Sequence, residues 1–237
     1  MPDCQEIMSP IESNLQHIRS QINGAIEAMP LALQPSVTVV AVSKRKTVSD
    51  VRDAFAAGQR DFGESYVQEA VTKIDALGDL QARGIVWHFI GPLQSNKLKV
   101  VAANFDWVHG IDRLKMATAL SRHRSGYPAL NVCVQVNISA EASKNGVAPG
   151  DAGALAAQVS LLPNLKLRGL MTIIEHTIDE ATQRAQFRNM RTLFESMQGD
   201  GMDVDTLSMG MSGDFMVAIA EGATMVRIGS AIFGARQ

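Results

Sequence analysis

The sequence predicts one α/β domain, a closed (β/α)8 TIM barrel with an extra helix at its N-terminus. Three observations predict it. Short apolar, β-branched runs alternate with helical patterns along the chain, which implies a parallel sheet with helical crossovers. Eight such pairs can be read in order. The length of 237 residues is a natural size for eight βα units closed into a barrel. An open, doubly wound sheet is the structural alternative, but no GxGxxG follows the first strand.

The elements follow in order. Ser9-Pro10-Ile11-Glu12 reads as a capping box with proline at the first helical position. Ile11, Leu15, Ile18, Ile22 and Ile26 then repeat at spacings of four, three, four and four, which makes one apolar helix face. Residues 1–35 therefore form an N-terminal helical extension, and 36–237 the barrel. Residues 37–43 form a run of the kind expected of a parallel strand buried on both faces. A helix follows over 47–58, with Val51, Ala54 and Phe55 inward and Gly58 as its stop. Strand two covers 60–63, and Ser65-Tyr66-Val67-Gln68 reads as the capping box of the next helix. Strands three to eight are expected at 86–90, 107–110, 130–138, 166–173, 206–210 and 224–228. Their helices are expected at 98–105, 112–123, 149–162, 179–197, 213–221 and, very short, from 230. The N-terminal helix is expected to pack where that last helix leaves a gap.

The composition narrows the classes of function. An apolar fraction of 46% supports a large core. A net charge of -2 and a pI near 6.2 argue against nucleic acid or an anionic membrane as partner. Two cysteines, Cys4 and Cys133, make neither a disulfide framework nor a CxxC metal pattern, and no metal site is expected. The start, Met1-Pro2-Asp3-Cys4-Gln5-Glu6, lacks a signal-peptide core, and no apolar run approaches the ~20 residues of a membrane span. A soluble, cytoplasmic protein is expected.

In such a barrel the chemistry sits at the C-terminal ends of the strands. Lys44 ends the first strand and shares a face with Thr38, Val40 and Val42. Partial burial and the neighbouring charges of Arg45 and Lys46 would lower its pKa and make it an amine for a carbonyl. Position alone leaves the other reading open, a strand-end lysine snorkelling to water. Strand seven ends in Ser208-Met209-Gly210-Met211-Ser212-Gly213-Asp214, and strand eight in Arg227-Ile228-Gly229-Ser230-Ala231. Small residues with free N–H groups at two neighbouring helix starts suit a phosphate. Each is also an ordinary capping sequence. Arg227 lies in an apolar strand and needs a partner, either Glu64 or another barrel carboxylate, or an acceptor on a ligand. His88 reads as a hydrogen-bonded barrel residue. Lys144 reads as a solvated loop lysine, at most a lid residue. Met209, Met211, Met216 and Met225 read as packing.

Together the motifs resemble the pyridoxal phosphate homeostasis protein family, also called proline synthetase co-transcribed homologues. The stretches that carry the resemblance are Ala41-Val42-Ser43-Lys44, Phe62-Gly63-Glu64-Ser65-Tyr66-Val67-Gln68-Glu69, Trp87-His88-Phe89-Ile90-Gly91-Pro92-Leu93-Gln94-Ser95-Asn96-Lys97, Leu167-Arg168-Gly169-Leu170-Met171, residues 207–214 and residues 226–234. The resemblance implies a barrel like the N-terminal domain of alanine racemase, with pyridoxal 5'-phosphate held as a Schiff base on Lys44. It puts the cofactor phosphate on Ser212, Gly229 and Ser230, Arg227 at the pyridine nitrogen, and Ser65 and Met171 among the surrounding residues. It implies a role in vitamin B6 homeostasis, delivery to pyridoxal phosphate-dependent apo-enzymes, and a monomer or weak dimer. The family usually has asparagine where this chain has Ser65. A serine there still has a side chain suited to capping, but a shorter one.

An arginine at the pyridine nitrogen keeps that nitrogen unprotonated, because two cations repel. Such a ring is a poorer electron sink. Alanine racemase-like enzymes tolerate this with a second domain that supplies a catalytic tyrosine, whereas this chain ends at Gln237 after the eighth unit and has only Tyr66 and Tyr127. A non-catalytic cofactor holder is therefore expected. The alternatives are an amino-acid racemase of unknown substrate and, more distantly, a class I aldolase.

Overall fold

The computed structural model describes residues 8–30, 34–139, 141, 144–175 and 177–235. Cys4 and the rest of the first seven residues, with Ala142, Ser143 and Arg236, lie outside the described residues.

Eight parallel strands close in sequence order, β1 pairing with β8. They are β1 (Thr38–Val42), β2 (Asp61–Glu64), β3 (Val86–Phe89), β4 (Trp107–Ile111), β5 (Leu130–Gln135), β6 (Leu165–Met171), β7 (Thr206–Met211) and β8 (Met225–Ile228). The helices are α1 (Pro10–Glu27), α2 (Val48–Ala56), α3 (Val67–Ala76), α4 (Leu98–Asn104), α5 (Leu114–His123), α6 (Pro149–Ser160), α7 (Glu180–Gly199), α8 (Phe215–Ala220) and α9 (Ser230–Phe233). The open-sheet alternative is thereby set aside.

Alternation along each strand builds two cores. Outward residues such as Ala41, Phe62, Trp87, Val108, Leu170 and Ile228 pack under the helices. Inward residues form a smaller cluster of Val40, Trp107, Cys133, Met171 and Met225. Ser9 caps α1 by accepting from the Glu12 N–H at 3.1 Å, and Leu15, Ile18 and Ile22 of α1 are buried. α1 packs on α2, α8 and α9, so it covers the gap beside the four-residue α9. α2 opens on a full capping box between Thr47 and Asp50. Met209 and Met225 are buried as packing residues, but Met211 and Met216 are 40% and 38% exposed, against the packing reading. Met211 follows the last buried residue of β7, at the mouth, and Met216 is on the exposed side of α8 between the buried Phe215 and Ala218. Among the described residues no helix is long and apolar enough to cross a membrane.

Candidate functional site

On β1, Val40 faces the interior and Ala41 the outer core, so the interior row continues through Val42 to Lys44. Ser43 faces outward and is buried, its Oγ donating to Glu64 Oε1 at 2.7 Å. Glu64 follows the outward Phe62 by two residues, so it too points away from the barrel axis. There Lys73 of α3 donates from Nζ to the Ser43 carbonyl (2.6 Å), Glu64 Oε1 (2.8 Å) and Glu69 Oε1 (2.6 Å). Glu69 Oε1 also accepts the Arg45 N–H at 2.5 Å. This buried cluster grips the backbone on both sides of Lys44. Burial raises the pKa of Glu64, while Lys73 and Ser43 pull it back down. The neighbouring cations diverge. Arg45 has a left-handed φ of 60° and turns toward Tyr66, and Lys46 donates to the carbonyls of Phe233, Gly234 and Ala235 behind α9.

Arg227 is inward on β8, 4% exposed and in register with Val40. Its Nη1 donates to Ser208 Oγ at 2.7 Å and its Nη2 to the Thr172 carbonyl at 2.8 Å. The expected structural partner, Glu64, is not its partner, because β2 turns that carboxylate to the outer face. Burial lowers the Arg227 pKa to about 10, opposed by Asp214 and Cys133, so the guanidinium stays charged at neutral pH. Of its five N–H groups, three remain for a ligand among the described residues.

One residue pair further up β8, Gly229 presents no side chain. A Cβ there would lie 3.4 Å from Val42, so glycine keeps open the space between Arg227 and the end of β1. Ser212 Oγ accepts the N–H groups of Gly229 (3.2 Å) and Ala231 (3.5 Å), tying the β7 and β8 loops together. Among the described residues the N–H groups of Gly213 and Ser230 and the Ser230 hydroxyl have no protein partner, and such donors suit an anion. Met171 is 1% exposed at the end of β6 and forms part of the floor. A cavity of about 640 Å³ opens beside these loops, lined by Lys144, Ile173, Met211, Gly213 and Asp214 among others.

Two readings of the sequence are corrected. Ser65 does not cap α3, which starts at Val67 with Tyr66 as its N-cap residue and no side-chain cap. The Ser65 backbone instead packs on Gly91, where a Cβ would fall 2.3 Å from the Ser65 oxygen. Lys144 is not a solvated lysine, since its Nζ pairs with Glu141 at 2.5 Å and its side chain is 23% exposed. Gln94, Ser95 and Asn96 are exposed on the loop after β3 and its short 3-10 turn, outside the interior row.

His88 is the hydrogen-bonded barrel residue expected of it. Its Nε2 lies 2.9 Å from Asp61 Oδ1 and its Nδ1 lies 3.0 Å from His109 Nε2. His109 Nδ1 in turn lies 3.0 Å from Ser208 Oγ. Burial, with His88 and the charged Arg227 alongside, holds the His109 pKa well below the usual imidazole range. The sequence does not single out Asp61, Lys73 or Ser208. Their signal is weak: a polar side chain on an inward strand position for Asp61 and Ser208, and an i,i+4 spacing to Glu69 for Lys73. Among the described residues no group of three or more His, Cys, Asp or Glu converges as for a metal ion.

Lys44 at the end of β1, the inward Arg227 of β8 and the serine loops after β7 and β8 thus lie on neighbouring units of a closed parallel barrel. The family model "Alanine racemase, N-terminal domain" matches residues 11–237. The pyridoxal phosphate homeostasis protein of Pseudomonas aeruginosa is 52% identical over 97% of both chains. The structure of PipY from Synechococcus elongatus, with PLP bound, is 37% identical, covers 94% of this chain and 100% of its own, and superposes with a TM-score of 0.81. Alanine racemase of Clostridium difficile shares the fold at 14% identity and a TM-score of 0.72, over 93% of this chain and 57% of its own. The chain therefore belongs to the pyridoxal phosphate homeostasis protein family, within the alanine racemase N-terminal domain class.

Proposed function

We propose that this chain is one pyridoxal 5'-phosphate-binding barrel domain that serves vitamin B6 homeostasis in the cytoplasm, as a monomer or weak dimer. It holds the cofactor by a Schiff base on Lys44 and passes it to apo-enzymes. The single observation that carries this reading is the β8–β1 seam, where Lys44, Arg227 and the Ser212–Gly229 loop pair meet around a position kept open by glycine. These residues fit the group. Lys44 supplies an amine for the aldehyde carbon, Arg227 a charged donor for the ring nitrogen, and the Ser212 hydroxyl with the Ser230 N–H and hydroxyl donors for the phosphate, while Gly229 leaves room beside them. Met171 and Ser65 line the floor and the rim. The cofactor, when bound, supplies a reactive aldehyde, and the barrel shields it.

Arg227 argues for holding rather than catalysis. It keeps its charge at neutral pH, so a ring nitrogen against it stays unprotonated and draws off carbanion charge poorly.

The test is the visible spectrum of protein loaded with pyridoxal phosphate, followed by borohydride reduction and peptide mapping. A yellow band lost on reduction, with a pyridoxyl adduct on Lys44, is expected. A colourless protein, or an adduct on another lysine, overturns the site. Delivery is tested by whether loaded protein activates an apo-transaminase faster than its spontaneous cofactor loss allows. Equal rates leave storage alone.

A further inference from the structure

Asp61, His88, His109, Ser208 and Arg227 form one hydrogen-bonded chain across the barrel interior, each link between 2.7 and 3.0 Å. Its lower end is Asp61, the first residue of β2. Asp61 is 27% exposed and lines a cavity of about 300 Å³ at the N-terminal end of the barrel, opposite the mouth. Its upper end is Arg227, which also reaches the Thr172 carbonyl. His88, His109 and Ser208 between them are fully buried.

The two ends set the direction of every bond. A guanidinium only donates and a carboxylate only accepts. With Asp61 accepting, His88 Nε2 carries a proton, and a neutral His88 then accepts at Nδ1. His109 must donate from Nε2 and accept at Nδ1. The Ser208 hydroxyl donates its one proton to His109 and turns its lone pairs to Arg227. The opposite arrangement puts a proton on His109 Nδ1 and makes His88 a buried cation, and it leaves the Ser208 proton without an acceptor among the described residues. Only the first arrangement places every proton, and buried polar groups left unpaired are costly.

We propose that Asp61, His88, His109 and Ser208 are positioning residues, which hold Arg227 in a fixed orientation toward the ring of the bound cofactor through a one-directional relay anchored at the far end of the barrel. The proposal rests on the reading that pyridoxal phosphate binds with its ring against Arg227. It makes a residue at the closed end of the barrel matter to a ligand at the open end. The relay holds Arg227 from β7, and the Thr172 carbonyl holds it from β6. Together they leave the remaining N–H groups for the mouth.

The test has two parts. Nitrogen-15 NMR of the histidine rings in the wild-type protein without cofactor, at neutral to mildly alkaline pH, reads the direction alone. Both rings are expected as neutral Nε2–H tautomers, and a proton on His109 Nδ1 overturns the relay whatever the protein binds. Titration with pyridoxal phosphate, followed by its visible band, then reads the consequence. Asp61→Ala and Ser208→Ala are each expected to weaken binding about ten- to a hundredfold, the loss of one hydrogen bond to a charged group, and to shift the band. Asp61→Asn and Ser208→Thr keep an acceptor and a hydroxyl and are expected within about twofold of wild type. The double variant Asp61→Ala/Ser208→Ala is expected to bind no more weakly than Ser208→Ala, because one chain is cut twice. Multiplying effects, or unchanged affinity and spectrum in folded Ser208→Ala, overturn the proposal. A wild-type protein that takes up no pyridoxal phosphate overturns the functional reading, while the NMR result still decides the relay.

Discussion

Lys73 shows how a residue on the outer face of the barrel steadies the backbone on either side of Lys44. It is nearly buried, with side-chain exposure of 5%, and pairs with Glu64, which has none. Removing a buried cation leaves an uncompensated buried carboxylate, at a cost of about 3–5 kcal/mol. Lys73→Met is therefore expected to lose about that much stability in urea unfolding at neutral pH. The pH dependence follows from Glu64, whose folded-state pKa lies above its ordinary value of 4.5 because of burial. A raised folded pKa means that the contribution of this group to stability is present below the unfolded value and lost as pH rises through the folded one. Without Lys73 that folded value rises further, so the deficit of Lys73→Met shrinks as pH falls. Glu64→Gln in the same background should recover much of it at neutral pH. A deficit that is equal at all pH values, and unaffected by Glu64→Gln, would exclude this account. Alternation along β1 and β8 makes Lys44 and Arg227 legible as inward residues. The pairing of Glu64 with Lys73 is not, because it depends on how α3 lies against the outer face of β2.

Elements were legible to within a few residues because each strand is a short apolar run and each helix has a periodic face. Their junctions were less so. Spacing alone makes Ser65 look like a helix cap. Yet residues 64–66 are spent on the close approach to Gly91, so α3 begins at Val67. At β7 the junction is set by Gly210. Its φ is 93°, and a Cβ would meet the Ala218 Cβ at 2.6 Å and the Phe215 Cα at 3.1 Å. Only glycine lets α8 lie this close to the strand end, and the turn it starts is closed by Asp214, whose Oδ1 accepts the Met211 N–H at 2.5 Å. Ser212 sits within that turn. Gly210→Ala combines a left-handed residue with overpacking, together about 2–4 kcal/mol. The expected result is a lower melting temperature and weaker pyridoxal phosphate binding in the same variant, through displacement of Ser212. Wild-type affinity in a destabilised variant would uncouple the turn from the ligand.

The barrel as a whole was legible from the count and order of its units, whereas the relay from Asp61 to Arg227 was not, since it joins side chains from β2, β3, β4, β7 and β8 across the interior. The same holds for the closing of the outer layer. Seven strands are followed by helices of six or more residues, but β8 is followed only by α9, with four. The 18-residue α1 takes up the missing cover. Leu15 is fully buried, and Asn14 Nδ2 donates to the Ile232 carbonyl of α9 at 2.9 Å. α9 carries Ser230 at its first position, so α1 is in effect the outer support of the loop that presents Ser230. Leu15→Ala is expected to cost about 2–5 kcal/mol, the range for a large-to-small change in a packed site. The effect should not be uniform. Hydrogen exchange should quicken first at the amides of Ile232, Phe233 and Gly234, which bond to Gly229 and Ser230. Amides of β4 and β5, on the far side of the barrel, should change only by the global loss of stability. If all amides quicken alike, α1 contributes to stability in general and does not specifically support α9. If the α9 amides lead, the N-terminal helix specifically supports the loop proposed for the cofactor phosphate, because the last unit of the barrel is too short to hold its own loop in place.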